Sequence, residues 1–169
     1  MNKRIRQYIG LLSAILTYYI IHEGAHFIYA LLTGTFKQIN IMSMGVQIDI
    51  HRDLISDFQL GIFCLVGSIA TFITAYLLVL FIDKICKCSS KVFKACMYYI
   101  TIALLLLDPI YLSVLCGFFG GGDMNGISML MPESVARIGF GILLVMNAVV
   151  FFKVVLPKYK QGFSENDAE

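Results

Sequence analysis

The stretch YIGLLSAILTYYIIHEGAHFIYALL, residues 8–32, is apolar except for a short ionisable cluster, His22-Glu23-Gly24-Ala25-His26. On a helix, His22 and His26 lie on one face about one turn apart, so both imidazoles can reach the same metal ion. Glu23 stands beside them, where metal-assisted hydrolysis needs a general base. The stretch therefore predicts a helix with His22 and His26 as zinc ligands and Glu23 as the catalytic base. The alternative is a helical bundle in which the three side chains pair with other polar groups and bind no metal.

The amino-acid composition indicates an integral membrane protein. The 169 residues are 59% hydrophobic and only 14% charged, and the mean hydropathy is +0.81, which is more apolar than soluble domains of this size. The small net charge of +2 comes from basic residues that flank apolar spans, so we expect no nucleic-acid partner. The length predicts a single membrane domain over residues 1–156 and no separate soluble domain.

Four apolar segments predict an all-α membrane protein with about four transmembrane helices. The predicted spans cover residues 8–32, 60–82, 95–119 and 138–156. Residues 1–7 are interpreted as a basic flank of the first span. Asp108-Pro109 interrupts the third span and predicts a kink, because proline removes a backbone donor. Residues 157–169 are polar and are expected to form a disordered C-terminal tail.

A period-two pattern follows the first span. Apolar and polar residues alternate from Ile39 to His51 around Ser43-Met44-Gly45, which predicts a short β-hairpin with a turn, lying at the membrane surface. His51 is interpreted as an ordinary residue at the end of a strand, because its spacing from His22 and His26 is not that of a metal ligand.

Small residues recur in the second span at helical spacing. Gly67, Thr71 and Ala75 stand at i, i+4 and i+8, and such a face lets helices approach closely. We expect this face to pack against the helix that carries the two histidines. The alternative is a run of small residues without a packing role.

A glycine-rich segment, Gly120 to Gly126, separates the third and fourth spans. It is too flexible for a regular helix and predicts a re-entrant loop that dips back into the protein. The three consecutive glycines allow the chain to turn back and bring Asp123 toward the metal.

The third zinc ligand is left open between two aspartates. Zinc held by two histidines needs a further protein ligand, with the fourth position left to water. Asp108 and Asp123 are the carboxylates placed to offer one from the apolar half of the chain. Counting depth at 1.5 Å per residue, His22 and Asp108 each lie about 20 Å from the basic end of their spans. Depth therefore favours Asp108, whereas the glycine turn favours Asp123.

These motifs together resemble the intramembrane zinc metalloproteases of the site-2 protease type, especially their compact, membrane-only relatives. The resemblance rests on His22-Glu23-Gly24-Ala25-His26 in an early membrane helix, the hairpin, the small-residue second span and the late Gly-Gly-Asp segment. It implies Zn²⁺ as cofactor and Asp123 as the third ligand. Asp108-Pro109 is similar to a polar residue and proline that precede that ligand in the family, so Asp108 is the second choice or a hydrogen-bond partner of the ligands.

The expected function is hydrolysis of peptide bonds in or near transmembrane segments of membrane proteins. A helical substrate hides its carbonyls in hydrogen bonds and must be unwound, and the hairpin can hold it as an added strand. The expected partners are such a transmembrane protein or peptide and the lipid bilayer. Two alternatives stay open: a non-catalytic metal-binding membrane scaffold of the same fold, and a small metal-binding transporter subunit.

The distribution of basic residues predicts the topology. In a four-span arrangement ten of them fall on one side and three on the other, which places both termini in the cytoplasm. The ten are Lys3, Arg4, Arg6, Lys84, Lys87, Lys91, Lys94, Lys153, Lys158 and Lys160, and the three are Lys37, Arg52 and Arg137. The zinc then lies in the outer half of the membrane, whereas the resemblance implies a zinc nearer the cytoplasm. The prediction follows the charges.

Overall fold

The structure, a computed structural model, describes the backbone of residues 2–42 and 45–165. Its elements are α1 (Lys3–Leu32), β1 (Phe36–Met42), β2 (Gly45–Ile50), α2 (Asp57–Leu80), α3 (Ile82–Cys86), α4 (Lys91–Ile110), α5 (Asp123–Ile127), α6 (Glu133–Val150) and α7 (Leu156–Glu165). A π-helical turn, Tyr111–Leu115, continues α4, and a second one, Phe151–Val155, joins α6 to α7. The chain is thus mainly helical, with one two-stranded sheet after the first helix.

Three helices are long and apolar enough to cross a membrane. They are Asp57–Leu80, Lys91–Leu115 and Glu133–Ser164. Helix α1 has 30 residues, about 45 Å at 1.5 Å per residue, but it is not among the three because the ionisable side chains of its histidine motif lower its mean hydropathy. Many large apolar side chains on these helices face outward, such as Ile138, which is 64% exposed.

The first helix begins earlier than the apolar pattern predicts. The side chain of Asn2 accepts a hydrogen bond from the backbone N–H of Arg4 and caps α1, which starts at Lys3. The cap satisfies a backbone donor that has no partner within the helix. The helix can therefore begin among polar residues, before the apolar stretch. Residues 3–7, within the basic flank of the predicted span, therefore belong to the same helix as the span.

The prediction of a disordered tail after Pro157 is wrong for residues 157–165. These residues form α7, in which Pro157 follows the π-helical turn Phe151–Val155. Tyr159 is 1% exposed in the core, and Lys158 Nζ lies 2.6 Å from Asp83 Oδ1. Tertiary contacts thus order a segment whose polar composition predicts disorder. Residues 166–169 lie outside the described residues.

The predicted hairpin is confirmed. The two strands pair antiparallel, with Ile39 opposite Ile48 and Met42 opposite Gly45, and β1 begins three residues before Ile39. The turn predicted at Ser43-Met44 lies outside the described residues. On the exposed face, a hydrogen bond from Lys37 to Asp49, 2.9 Å long, lowers the pKa of the Asp49 carboxyl.

The predicted loop between the third and fourth spans is only partly irregular. The third span ends with the π-helical turn at Leu115, short of the predicted Phe119. Gly120, Gly121 and Gly122 all have positive φ angles, so the chain reverses through a backbone conformation that favours glycine. The chain then forms α5 from Asp123, where a continued loop was predicted.

The interior divides into two apolar clusters along the bundle. One cluster, near the ends of α3 and α7, includes Leu104 and Tyr159. The other lies between α1, α2, α5 and the hairpin, and includes Ala30, Ile48 and Phe63. Helix α1 packs against both α2 and α4, so the face of α1 that carries the two histidines is enclosed by neighbouring helices.

Candidate metal centre

The structure brings His22, His26 and Asp123 together. One ligand atom from each of the three side chains lies within 4.8 Å of the other two, a cluster that can hold a metal ion. The histidines come from adjacent turns of α1, and both are more than nine-tenths buried. Asp123 comes from the first residue of α5, 101 positions after His22. Only the fold can make this contact.

Two distances within this cluster lie close to the value expected for tetrahedral coordination. Oδ2 of Asp123 lies 3.0 Å from Nε2 of His22 and 3.6 Å from Nε2 of His26. A tetrahedral ion with bonds of about 2.1 Å separates its ligands by about 3.4 Å. The two observed separations bracket that value, and all three ligand atoms lie within 4.8 Å of one another.

The other ring nitrogens of the two histidines face oxygen atoms. Nδ1 of His26 lies 2.7 Å from the carbonyl oxygen of Phe63 in α2. Nδ1 of His22 lies 3.2 Å from Oδ1 of Asp108, close enough for an electrostatic contact, although its direction does not satisfy a hydrogen bond. Metal-binding histidines are held in this manner, with the distal N–H on a carboxylate or carbonyl so that Nε2 faces the ion.

The contact between His26 and the Phe63 carbonyl favours a cation between Nε2 of His26 and the carboxylate of Asp123. A carbonyl oxygen only accepts, so the contact with Phe63 places the proton of a neutral His26 on Nδ1 and leaves a lone pair on Nε2. That lone pair faces the Asp123 carboxylate, and two acceptors repel unless a proton or a metal ion lies between them. Protonating both imidazoles would put two positive charges side by side, since the ring centroids are 4.9 Å apart. One metal ion satisfies all three groups.

Asp108 supports His22 from the side opposite Asp123. The hydroxyl groups of Tyr18 and Thr71 both donate hydrogen bonds to its carboxylate, and Asp108 is 1% exposed. The carboxylate is thereby fixed against Nδ1 of His22 and does not belong to the cluster at Nε2. Of the two aspartates left open by the sequence, the structure brings Asp123 to the shared point and Asp108 to the ring behind it.

Gly67 lets α2 approach the two histidines. A Cβ atom at this position would lie 2.6 Å from Nε2 of His26 and 2.7 Å from Nε2 of His22, closer than van der Waals contact allows. The small-residue face predicted for the second span therefore does pack against α1 at Gly67. At Thr71, the same face of α2 contacts α4, because the Thr71 hydroxyl donates a hydrogen bond to Asp108.

Glu23 lines an open cleft beside the cluster. The cleft has a volume of about 510 Å³. Its other walls come from α2, α5 and strand β2, which contributes five consecutive residues from Val46 to Ile50. The Glu23 side chain is half-buried, and the backbone N–H of Ile48 donates to its carboxylate. A water molecule at the cluster would thus have a carboxylate and an accessible space next to it.

The contacts of Tyr18 and Phe63 were missed by the sequence analysis. Tyr18 precedes His22 by four residues, and helical periodicity alone places it on the same face. That spacing was a usable signal. The carbonyl oxygen of Phe63 left no signal, because a backbone acceptor is the same at every residue. His51 is not part of the cluster, as expected.

Comparison with known proteins assigns no family. No protein-family model, curated protein or solved structure matches the chain. Support for a function therefore comes from the side-chain geometry of the site and from the resemblance of its sequence motifs.

Proposed function

We propose that this chain is an intramembrane zinc metalloprotease of the site-2 protease type, which hydrolyses peptide bonds in or near membrane-spanning segments. The observation that carries the proposal is the convergence of His22, His26 and Asp123 on one point with Glu23 at the adjoining cleft. Two imidazoles, one carboxylate and an open position form a donor set typical of catalytic zinc. A purely structural zinc site would present four protein ligands and no cleft.

The roles of the residues follow from their positions. A zinc ion held by these side chains would supply a Lewis acid and would lower the pKa of its water toward about 7. Glu23, at the cleft beside the cluster, would accept a proton from a water molecule that attacks a peptide carbonyl and would return that proton to the leaving amine as the C–N bond breaks. His22, His26 and Asp123 hold the centre, and Asp108 and the Phe63 carbonyl fix the orientation of the two rings.

Strand β2 offers an edge on which an extended substrate can bind. The N–H of His51 donates to Thr35 on the side of the first strand, so alternation directs the N–H groups of Ile50 and Val46 to the opposite edge, together with that of Ile48, which donates to Glu23. That edge borders the cleft. A substrate added there as a strand would be unwound, which exposes its carbonyls to attack.

The membrane setting completes the proposal. We take α1 as a fourth span beside the three apolar helices, because its outward side chains are apolar, as with Leu12 at 60% exposure and Ile20 at 72%. The charge distribution then places both termini in the cytoplasm and the metal in the outer half of the bilayer. Enclosure by α2 and α4 explains how a charged motif is tolerated there, since ionisable residues in membrane segments face the interior of the bundle.

The decisive test is Glu23→Gln in the purified full-length protein. Glutamine keeps the size of the side chain and is not needed as a ligand, so zinc stoichiometry should stay at the wild-type value. Cleavage of a transmembrane peptide should fall by at least about a hundredfold, the usual share of general acid-base catalysis. His22→Ala should lose both zinc and cleavage, whereas His51→Ala, the matched histidine control, should lose neither.

The alternatives predict other results. A non-catalytic scaffold would bind zinc in the wild type and cleave no transmembrane peptide, and Glu23→Gln would alter stability or partner binding only. A transporter subunit would move the metal across vesicle membranes in the absence of cleavage. Zinc retention with undiminished cleavage in Glu23→Gln would remove Glu23 from the mechanism and overturn it.

A further inference from the structure

A second cavity lies at the end of the bundle that carries the basic residues. It has a volume of about 510 Å³ and is formed by the first turns of α1, the start of α4 and the last turns of α7. The lining residues that bear on its chemistry are Lys3, Arg6, Gln7, Tyr99, Lys160 and Phe163. Arg6 and His22 are 16 residues apart on α1, about 24 Å along the helix, so the cavity is separate from the metal centre.

The electrostatics of this cavity favour an anion. Lys3, Arg6 and Lys160 contribute three cations from α1 and α7, and the described lining side chains include no carboxylate. The positive ends of the α1 and α4 helix dipoles also point to this end of the molecule. The end of α7 brings the opposite partial charge, which is about half an elementary charge and is exceeded by the three cations.

A buried lysine adds to the positive potential behind the cavity wall. Lys94 is 0% exposed. Its ammonium group donates to the carbonyl oxygen of Gly162 and lies 5.4 Å from the ring centroid of Phe163, a lining residue. Neither a carbonyl nor an aromatic face cancels a full positive charge. Burying this charge is costly, and an anion in the adjoining cavity would offset part of that cost.

The cavity continues into an apolar groove. A neighbouring depression of about 390 Å³ is lined by Arg4, Gln7, Tyr8, Leu11 and Tyr99, and Gln7 and Tyr99 belong to both. Tyr8 and Leu11 are 72% and 50% exposed on the helix face that runs from the basic end toward the apolar centre of α1. The combined shape is a basic chamber that opens onto an outward apolar strip.

We infer that this chamber binds the headgroup of an anionic phospholipid, with an acyl chain along the groove on α1. A phosphodiester matches the cations of the chamber, and the groove gives the hydrocarbon a path that a soluble anion would not use. The chamber lies where two candidate membrane helices end, at Lys91 and Ser164, which is the depth of a lipid headgroup. The positive-inside rule explains why basic residues flank the membrane spans. It does not explain why they surround one cavity.

The test measures lipid binding to the full-length protein in detergent micelles. The probes are dioleoylphosphatidylglycerol and dioleoylphosphatidylcholine, titrated while native mass spectra count bound lipids. Wild type should bind one phosphatidylglycerol in preference to phosphatidylcholine. The double variant Arg6→Gln/Lys160→Gln should bind phosphatidylglycerol about 25-fold more weakly, since each cation near an anionic surface contributes about fivefold.

The matched control removes two cations from the same end of the bundle but outside the cavity. Lys84→Gln/Lys87→Gln should bind phosphatidylglycerol within about twofold of wild type, and the charge-conserving Arg6→Lys/Lys160→Arg should retain binding if charge is what matters. Equal losses in both neutralising variants, or no preference over phosphatidylcholine, would overturn the site. Competition by inorganic phosphate at equal concentration would assign the chamber to a free anion and overturn the lipid assignment. The metal content of each variant shows whether it is folded.

Discussion

At the scale of single residues, the two aspartates beside His22 have different tasks. Asp123 shares the Nε2 side with His26, whereas Asp108 lies behind the ring and is held by Tyr18 and Thr71. Both carboxylates thus depend on partners far away in the chain. The difference can be measured, because loss of a ligand and loss of an orienting group weaken a metal centre to different extents.

Asparagine substitutions should separate these two roles. Asp108→Asn keeps the shape of the side chain and should weaken zinc affinity by about 10- to 100-fold, the usual effect of losing an orienting group. Asp123→Asn should weaken it further, because an anionic ligand is replaced by a neutral one. Zinc affinity of the two purified variants, measured by competition with a chelating dye, checks the order. The reverse order would make Asp108 the ligand.

At the scale of elements, the approach of α2 to α1 depends on one glycine. Gly67→Ala places a methyl group less than 3 Å from both Nε2 atoms, and overpacking of this kind costs about 1–3 kcal/mol. Zinc affinity should fall by about tenfold or more. Gly24→Ala is the matched control, because a Cβ atom there meets nothing within 4 Å.

The Gly24→Ala control should change the stability of the protein in a direction of its own. Gly24 lies in the interior of α1, and alanine should stabilise that helix by about 0.5–1 kcal/mol relative to glycine. Its zinc content should equal that of wild type. Metal content and thermal unfolding of both variants decide the matter. Equal loss of zinc in the two would mean that the effect arises within α1 and not from its contact with α2.

The edge of β2 gives a second prediction at this scale. Val46→Pro removes an N–H that faces the cleft, at an edge position where proline is tolerated, while Val46→Ala keeps it. Cleavage of a transmembrane peptide should fall by about 3- to 10-fold in the proline variant, the net worth of one hydrogen bond, with zinc content unchanged. Equal rates in the two variants would exclude strand addition through this N–H.

At the scale of the whole molecule, the basic residues gather at one end of the bundle. Lys158 pairs with Asp83, and the basic cavity joins the start of α1 to the end of α7. The hairpin and the candidate metal centre lie toward the other end, where Arg137 donates to backbone carbonyls at the end of the helix Lys91–Leu115. The charge asymmetry that predicts topology is therefore also a spatial asymmetry of the folded chain.

Labelling of single cysteines tests this orientation. In a cysteine-free variant, Gln47→Cys should react with a membrane-impermeant maleimide from outside the cell, and Ser90→Cys should react only after the membrane is opened. Zinc content of the cysteine-free parent shows that it is folded. The opposite labelling pattern would place the hairpin and the metal on the cytoplasmic side and overturn the charge-based topology.

The sequence by itself determined the features that depend on neighbours along the chain. Spacing of four residues puts His22 and His26 on one helical face, and alternation from Ile39 to His51 predicts the hairpin, because both patterns reflect the geometry of a single element. Composition was sufficient to indicate helices long and apolar enough for a membrane. It failed for α7, where burial of Tyr159 against other elements outweighs a polar composition.

The residues by themselves left the choice between the two aspartates open, and the tertiary structure brings Asp123, the one that the resemblance implies, to the two histidines. Depth along a straight helix favours Asp108, but three glycines with positive φ reverse the chain and start α5 beside α1, so Asp123 arrives at Nε2. The carbonyl of Phe63 and the close approach of Gly67 likewise depend on how α2 packs. The physical reason is that local periodicity is encoded by adjacent residues, whereas contact across 101 positions depends on the packing of every element between them.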